Sequence, residues 1–249
     1  MPKVVAVIPV HLRTQMAIET VRMLRHQTVP VVTILVGDSK IEARIAQEVG
    51  CEYIQHPNEP LSDKWQAGVW RAKDLDPDAV LILGSDTWLT PTWCETGLTI
   101  MQKGNQVVGC NNLYIMYLVH DRMEIVHVGR RRSKEPAGVG RMISCEGMRK
   151  LGWKLFREHK SWHCDGIAMR AIKAAGLRCA LMPQHEQALS FKCDFWPDKH
   201  PFTGIKAAPG LHLLQGVTGN VDHWLNSTYP GSLEALDRLR RSTWPKSHS

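Results

Sequence analysis

The chain has no Cys-x-x-Cys pair, no low-complexity tract, no internal repeat and no apolar run long enough to cross a bilayer. Each absence removes a class. Seven cysteines, at 51, 94, 110, 145, 164, 179 and 193, are scattered and odd in number. That pattern gives neither a disulfide framework nor a zinc knuckle, and reads as reduced cysteines acting as small hydrophobes. The longest apolar stretches, Val4–Val10 and Ala79–Leu83, are strand-sized. Met1-Pro2-Lys3 runs straight into the first of them without the small-residue cleavage site of a signal peptide. The expectation is a soluble, cytoplasmic protein. No Gly-x-Gly-x-x-Gly follows the first strand, and Gly138-Val139-Gly140 lies after hairpin-like strands, which excludes a dinucleotide-binding dehydrogenase.

What is present is a chain of 249 residues, 43% hydrophobic and 22% charged, enough to bury a substantial core and too apolar for wholesale disorder. The formal charge is +7. Basic residues gather in Arg130-Arg131-Arg132-Ser133-Lys134, between Arg141 and Arg157, and in Arg238-Leu239-Arg240-Arg241. Such a field suits an anionic partner, whether nucleic acid, an anionic membrane surface or a nucleotide-activated donor, and does not choose among them.

The first half reads as repeated strand–helix units. Strands are expected at Val4–Pro9, Val31–Val36, Cys51–Gln55 and 79–83. Helices are expected at 15–27, at Ile41–Val49 with Gly50 as its stop, and at 62–73 with Ser62 as its cap. Pro91 opens a further helix running to Lys103. This alternation predicts a mostly parallel central sheet flanked by helices. The second half is less regular. Val107–Cys110, Leu113–Val119 and Glu124–Val128 are strand-like, with a turn at His120-Asp121-Arg122 and a basic, glycine-containing loop at 130–140. Ser144–Leu151 and Cys164–Ala175 read as helices, and 178–182 as a strand. Residues 184–231 show no clear periodicity, and Leu233, Leu236 and Leu239 line one side of a terminal amphipathic helix.

The run Ala79–Leu83 ends abruptly in Gly84-Ser85-Asp86-Thr87. Ligands of open α/β sheets bind at the carboxyl ends of strands, so Asp86 is placed to reach a metal or a phosphate-linked substrate, or else to cap a helix.

Taken in order, several segments resemble the family 2 glycosyltransferases of GT-A fold. Val7-Ile8-Pro9-Val10-His11 resembles the family's first strand and loop. Ile34-Leu35-Val36-Gly37-Asp38-Ser39 resembles its second strand with a nucleotide-contacting acid. His56-Pro57-Asn58 with Trp65-Gln66-Ala67-Gly68 resembles the third strand and the helix beneath the donor. Leu83 to Pro91 resembles the metal-binding motif. Ser144 through Gly152, then Trp162-His163-Cys164-Asp165 and the helix to Gly176, resemble the acceptor-side elements that carry the base. The similarity covers residues 4–182. Two positions depart from the family: Gly84 stands where an Asp is common, and Cys164 where a Glu is common, while Asp86 and Asp165 keep the second acid of each motif.

The resemblance implies a GT-A core over 1–183, with a donor-binding half at 1–110 and an acceptor-side half at 111–183, and an irregular C-terminal extension at 184–249 that closes the site. It implies an inverting transfer of a hexosyl or pentosyl group from a nucleotide sugar, a UDP-sugar first, to an acceptor hydroxyl. Asp165, at a helix start, is the expected base, with His163 as an alternative. Asp86 is expected to bind Mn²⁺ or Mg²⁺ with His212 as a second ligand; His185, His200 and His223 are rivals. Asp38, with Pro9 and His11, is expected to hold the nucleotide, and Lys64 and Ser85 to approach the donor. Arg130, Arg131, Arg132 and Arg141 are expected phosphate or acceptor contacts, and Trp153 and Trp162 stacking faces.

Three alternatives stay open. The acceptor could be a hydroxymethylated base in DNA, as for phage-type glycosyltransferases, with the base turned out of the duplex. The chain could be a catalytically weak nucleotide-sugar-binding relative, as Gly84 and Cys164 suggest. A nucleotidyltransferase shares the parallel sheet, but Pro9-Val10-His11-Leu12-Arg13 lacks the glycine-rich phosphate loop.

Overall fold

The computed structural model describes residues 1–119, 122–130, 135–193, 211–216 and 220–243. Its first elements are β1 (Val4–Pro9), α1 (Thr14–Leu24), β2 (Val31–Gly37), α2 (Lys40–Glu48), β3 (Glu52–Gln55), α3 (Leu61–Asp74) and β4 (Ala79–Ile82). β1 pairs in parallel with β2 and β4, and β2 with β3, as strand–helix alternation requires. Both faces of this sheet are covered. Val4, Ala6 and Ile8 pack with Leu35 and Leu81 against α1, while Val5 and Val7 pack with Ile34, Val36 and Val80 against α3. Burial on both faces is why these strands read as unbroken apolar runs.

β5 (Thr87–Leu89), α4 (Trp93–Gln102), β6 (Val107–Gly109), β7 (Asn112–Val119), β8 (Arg122–Arg130) and β9 (Arg141–Ser144) come next. α5 (Cys145–Lys150), α6 (Cys164–Ala174), β10 (Cys179–Leu181), β11 (Ala188–Cys193), β12 (Leu211–Gly216), α7 (Val221–Thr228) and α8 (Ser232–Thr243) complete the described elements. The first sheet has the order β10-β6-β9-β4-β1-β2-β3, and a second has β12-β8-β7-β11-β5. The fold class expected from the sequence, a mostly parallel central sheet with helices on both sides, is therefore present. The antiparallel member is β9, wedged between β4 and β6.

Several boundaries differ from the expectations. Pro60, not Ser62, is the N-cap of α3. Ser62 is the buried second residue of the helix, and its Oγ accepts the Lys160 amide at 2.8 Å. Pro91 precedes α4, whose N-cap is Thr92, and β5 occupies the residues before it. β9 takes Arg141–Ser144, so that Ser144 is the cap of α5 and accepts the Gly147 amide at 3.1 Å. The segment read as aperiodic holds β11, β12 and α7. The boundary expected at 183 falls just before β11, which pairs with both β5 and β7. Of the expected turn and basic loop, His120, Asp121 and residues 131–134 lie outside the described residues.

α8 docks on α1 through ion pairs to a buried carboxylate. Glu19, fully buried, accepts from Arg238 Nε and Nη2 at 2.9 and 2.8 Å and from Arg22 Nη1 at 2.6 Å. Around it Met16, Met23, Trp88, Phe191, Leu225, Tyr229, Leu236 and Leu239 form a core between the second sheet and the C-terminal helices. No helix among the described residues is long and apolar enough to cross a membrane.

Gly68 sets the approach of α3 to the sheet. A Cβ there would stand 2.3 Å from Val7 Cγ1 and 2.9 Å from Val36 Cγ2, in a layer where neither valine has space to retreat. Gly68→Ala is expected to destabilise the protein by about 1–3 kcal/mol, read as an earlier midpoint in urea denaturation. An unchanged midpoint would mean that α3 sits further from β1 than described.

Candidate functional site

The parallel strands β1, β2 and β4 bring their carboxyl ends to one edge, and a cleft of about 340 Å³ opens there. The segment after β1 supplies Pro9, Val10, His11 and Arg13; the turn after β4 supplies Gly84, Ser85 and Asp86. Asn58, Glu59, Leu61 and Trp65, from the loop after β3 and the first turns of α3, form a further wall, and Ser161 joins the rim.

One buried carboxylate shapes the rim. Glu42 is 3% exposed. Its Oε2 accepts the Asp38 and Ser39 amides at 2.7 and 3.1 Å, completing a capping box at the start of α2. Its Oε1 accepts the Leu12 amide at 3.3 Å, which ties the loop after β1 to the loop after β2. Gly37 makes room for this crossing, since a Cβ there would lie 2.5 Å from Glu42 Oε2. Leu12 is held at φ 59°, a left-handed conformation unfavourable for a branched side chain, and the Arg13 amide closes a tight turn on the His11 carbonyl at 2.7 Å. Strain of this kind is retained where surrounding structure over-determines it, often at ligand sites. His11 Nδ1 stands 3.2 Å from Asp38 Oδ2. His11, Asp38 and Glu42 are close enough to resemble a metal cluster. Both Glu42 oxygens are already occupied by backbone amides, so the cluster is accounted for as a helix cap.

Lys64 lies beneath the cleft rather than in it. It is fully buried, and its Nζ donates to the Val10 carbonyl and, at 3.1 Å, to Asn58 Oδ1. Burial pushes its pKa below the usual lysine value, opposed by the charges of Glu42 and Asp38.

The Gly84-Ser85-Asp86 turn joins the two sheets, with β4 ending before it and β5 starting after it. It is fixed from both sides. Thr20 Oγ1 donates to the Ser85 carbonyl at 2.9 Å, and the Phe191 amide to the Asp86 carbonyl at 2.9 Å. Asp86 is 9% exposed; its Oδ2 pairs with Arg13 Nη1 at 3.0 Å, and its Oδ1 faces the Thr87 hydroxyl at 3.4 Å. A Cβ at Gly84 would stand 2.9 Å from Asp86 Oδ1. Among the described residues Asp86 belongs to no group of three metal-ligating side chains, and a guanidinium occupies one of its oxygens.

For the second ligand expected from the sequence, only the backbone is described. His212 is in β12, where its backbone faces Gly129 of β8, and its side chain lies outside the described residues. β12 and β5 form opposite edges of the second sheet.

Asp165 sits in the first turn of α6, exposed, behind His163, which caps the helix in a left-handed conformation at φ 57°. Its carboxyl group packs directly on Gly138: a Cβ there would fall 1.7 Å from Oδ1 and 2.3 Å from Oδ2. The Gly138 loop leads into β9, whose Arg141 pairs with Ile82 at the carboxyl end of β4. Asp165 thus belongs to the same edge of the sheet as the cleft, without lining it. Its neighbour Cys164 has a thiol pushed up to about 11, first by burial and then by the Asp165 charge.

The remaining expected contacts separate. Trp162 is 66% exposed beside Ser161 of the rim. Trp153 is buried, and its carbonyl accepts from Gln66 Nε2 at 2.7 Å, so it packs the core rather than offering an open stacking face. Arg141 is buried as well, because β9 is an interior strand; its Nη2 donates to the Pro136 carbonyl at 3.1 Å. Arg130 ends β8 with its side chain outside the described residues, and Arg131 and Arg132 lie wholly outside them. Arg13, Asn58 and Trp65 were not anticipated as cleft residues. The signal for Arg13 was its place four residues beyond Pro9, at the end of the first strand.

No family model matches the chain, and no curated protein matches it. Solved structures do. The crystal structure of S. aureus TarS aligns with a TM-score of 0.54 at 11% identity, covering 76% of this chain and 37% of that one. S. aureus TarS 1-349 in complex with UDP aligns with a TM-score of 0.53 at 11% identity, covering 78% of this chain and 61% of that one. The chain spans less than two thirds of either, and at this identity the likeness is one of fold.

Proposed function

We propose that this chain is a glycosyltransferase that moves a hexosyl or pentosyl group from a nucleotide sugar, a UDP-sugar first, to an acceptor hydroxyl with inversion. The observation that carries the reading is the cleft at the carboxyl ends of β1, β2 and β4, where His11, Asp38, Arg13 and Asp86 come to one edge of the sheet. The fold shared with a UDP-bound protein supports it.

In this reading Asp38 accepts the ring N–H of the pyrimidine, and Pro9 and His11 form the wall beside it. Ser85 lines the diphosphate end. The acceptor hydroxyl gives its proton to the Asp165 carboxylate as its oxygen attacks the anomeric carbon. The bond from that carbon to the diphosphate oxygen breaks on the opposite face, and its electron pair leaves with the nucleoside diphosphate. Residues 1–110 hold the donor, 111–183 the acceptor, and 184–249 close the site. A Mn²⁺ or Mg²⁺ ion, where bound, would supply Lewis-acid stabilisation of the leaving group. No step above is routed through it.

A panel of nucleotide sugars, titrated calorimetrically and followed for nucleotide release, tests the proposal. UDP-sugars are expected to bind and to release UDP slowly into water. If no nucleotide or nucleotide sugar binds, with divalent metal or with EDTA, the transferase reading falls. A saturable nucleotide that is never released, with acceptor panels including hydroxymethylated DNA, would instead identify a binding protein.

A further inference from the structure

We propose that a cavity between α3 and the segment 153–160 is a second binding site, for a small ligand that joins a flat aromatic ring to an anionic group, a carboxylate or a phosphate ester. It shares no lining residue with the donor cleft, and the inference does not rest on the donor-binding reading above.

The cavity encloses about 590 Å³, inside the range of about 300–1,000 Å³ usual for small-molecule sites. Its α3 wall follows from helical spacing: Asp63, Gln66 and Trp70 stand three and four residues apart and share one face. The opposite wall is clamped to that helix at both ends. At one end Gln66, 5% exposed, donates from Nε2 to the Trp153 carbonyl at 2.7 Å, and its Oε1 accepts the Phe156 amide at 2.9 Å. At the other, the Ser62 amide donates to the Lys160 carbonyl at 3.0 Å while Ser62 Oγ accepts the Lys160 amide. Phe156 is fixed as well, stacked on Trp65 with ring centroids 5.6 Å apart and an interplanar angle of 19°. Gly152 and Trp153 lead into this wall at φ 62° and 57°. A tryptophan held in the left-handed region is strained, and such strain persists where the surroundings over-determine it, often at ligand sites. Both walls are set before any ligand arrives.

The lining sets the chemistry. Trp70 is 53% exposed although it lines a cavity, so a large indole surface is open to a flat ring. Phe156 supplies a second aromatic surface. Charge decides the rest. Arg157 donates from Nε and Nη2 to the Lys154 and Leu151 carbonyls at 3.0 and 3.2 Å. Those acceptors are neutral, and among the described residues neither Arg157 nor the lining Lys154 is paired with a carboxylate. The one acid in the lining, Asp63, is already engaged: its two oxygens stand 3.0 and 2.9 Å from His159 Nδ1. Two cations without an acid, beside two aromatic surfaces, are complementary to an anion carried on a ring. A neutral ring would leave the cations unmatched, and a bare inorganic anion would leave the indole uncovered.

The test is calorimetric titration of the full chain with naphthoate, naphthyl phosphate and the uncharged naphthalenemethanol, on wild type, Trp70→Ala, Trp70→Phe and Lys154→Gln. Wild type is expected to bind at least one of the anions at a single saturable site, and the tighter of the two identifies the anionic group. The alcohol is expected to bind at least about 10-fold more weakly, for want of the charge-assisted contact. Trp70→Ala is expected to weaken the anion about 5- to 100-fold, the range for a ring losing its stacking surface, and Trp70→Phe to recover part of that loss. Lys154→Gln is expected to weaken it about threefold or more, and added salt to erode the same part of the affinity. No saturable binding of either anion overturns the inference. So does an alcohol that binds as tightly as the anions, or anion binding undiminished in either Trp70→Ala or Lys154→Gln. The comparison of anion with alcohol on wild type depends on no variant, so a variant that does not fold cannot rescue the idea.

Discussion

Gly138→Ala is expected to cut turnover sharply while leaving UDP affinity within about twofold, and Asp165→Asn to cut it by about 10²- to 10⁴-fold, the range for loss of a positioned general base. The two changes attack one group from opposite sides. Asp165→Asn keeps the shape and removes the basicity. Gly138→Ala keeps the carboxylate and moves it, because the new Cβ would lie 1.7 Å from Oδ1 and 2.0 Å from Cγ. Gly138 is not in the left-handed region, so the backbone itself tolerates alanine and the effect is one of space. The side chain that must yield is short and exposed in the first turn of α6, so it rotates away rather than disrupting the core. Folding stability should therefore change little while the proton acceptor leaves its place, and misplacement of a reacting group is costly even at the scale of an ångström. Separating kcat from the dissociation constant of UDP checks this, since neither residue lines the cleft. Equal turnover in wild type and both variants would remove Asp165 from the chemistry and return the base to His163 or another group.

How much of this was legible in sequence depends on the length of each signal. β1, β2 and β4 are buried on both faces, so their apolar runs stood out, and Gly50 marked the stop of α2. β5 and β9 were not legible. Thr87–Leu89 is three residues long between a polar turn and a proline, and Arg141–Ser144 begins with a charge. The misreading of β9 propagated into the site. With no strand there, Arg141 stood among surface cations, whereas β9 buries it between β4 and β6. Trp153 shows the same limit, because an aromatic in a loop reads equally as core or as a stacking face until its neighbours are known. Pro9, His11, Ser85 and Asp86 line the cleft, and Asp38 approaches it through His11, because strand ends can be placed from sequence and parallel strands gather them. The pairing of Arg13 with Asp86 joins residues 73 positions apart and left no local trace.

Lys64→Met is expected to lower stability by about 2–4 kcal/mol, from one buried and one part-buried acceptor losing their donor, and to weaken UDP binding at the same time. The stem of methionine fills the space of the lysine methylenes, so the loss is one of hydrogen bonds rather than packing. The two acceptors explain the coupling to ligand. The Val10 carbonyl belongs to the loop after β1 and Asn58 to the loop after β3, and both line the cleft. One ammonium holds two walls together from below. Its titration supplies an independent check. Burial lowers the lysine pKa in the folded protein below the 10.5 of the free side chain. Between those two values the unfolded chain binds more protons than the folded one, so raising the pH favours folding. The neutral amine that results still has N–H donors for both oxygens, and the interaction therefore survives deprotonation. The difference in melting temperature between wild type and Lys64→Met, in which other titrating groups cancel, should widen as pH rises toward 10.5. At pH 7 that difference should be on the order of 4–16 °C, at roughly 2–4 °C per kcal/mol for a chain of this size. A gap that narrows with pH would mean that Lys64 is stabilised by its charge, through Asp38 and Glu42, more than it is penalised by burial. No gap at all, with UDP binding intact, would mean that the two loops hold their positions without it.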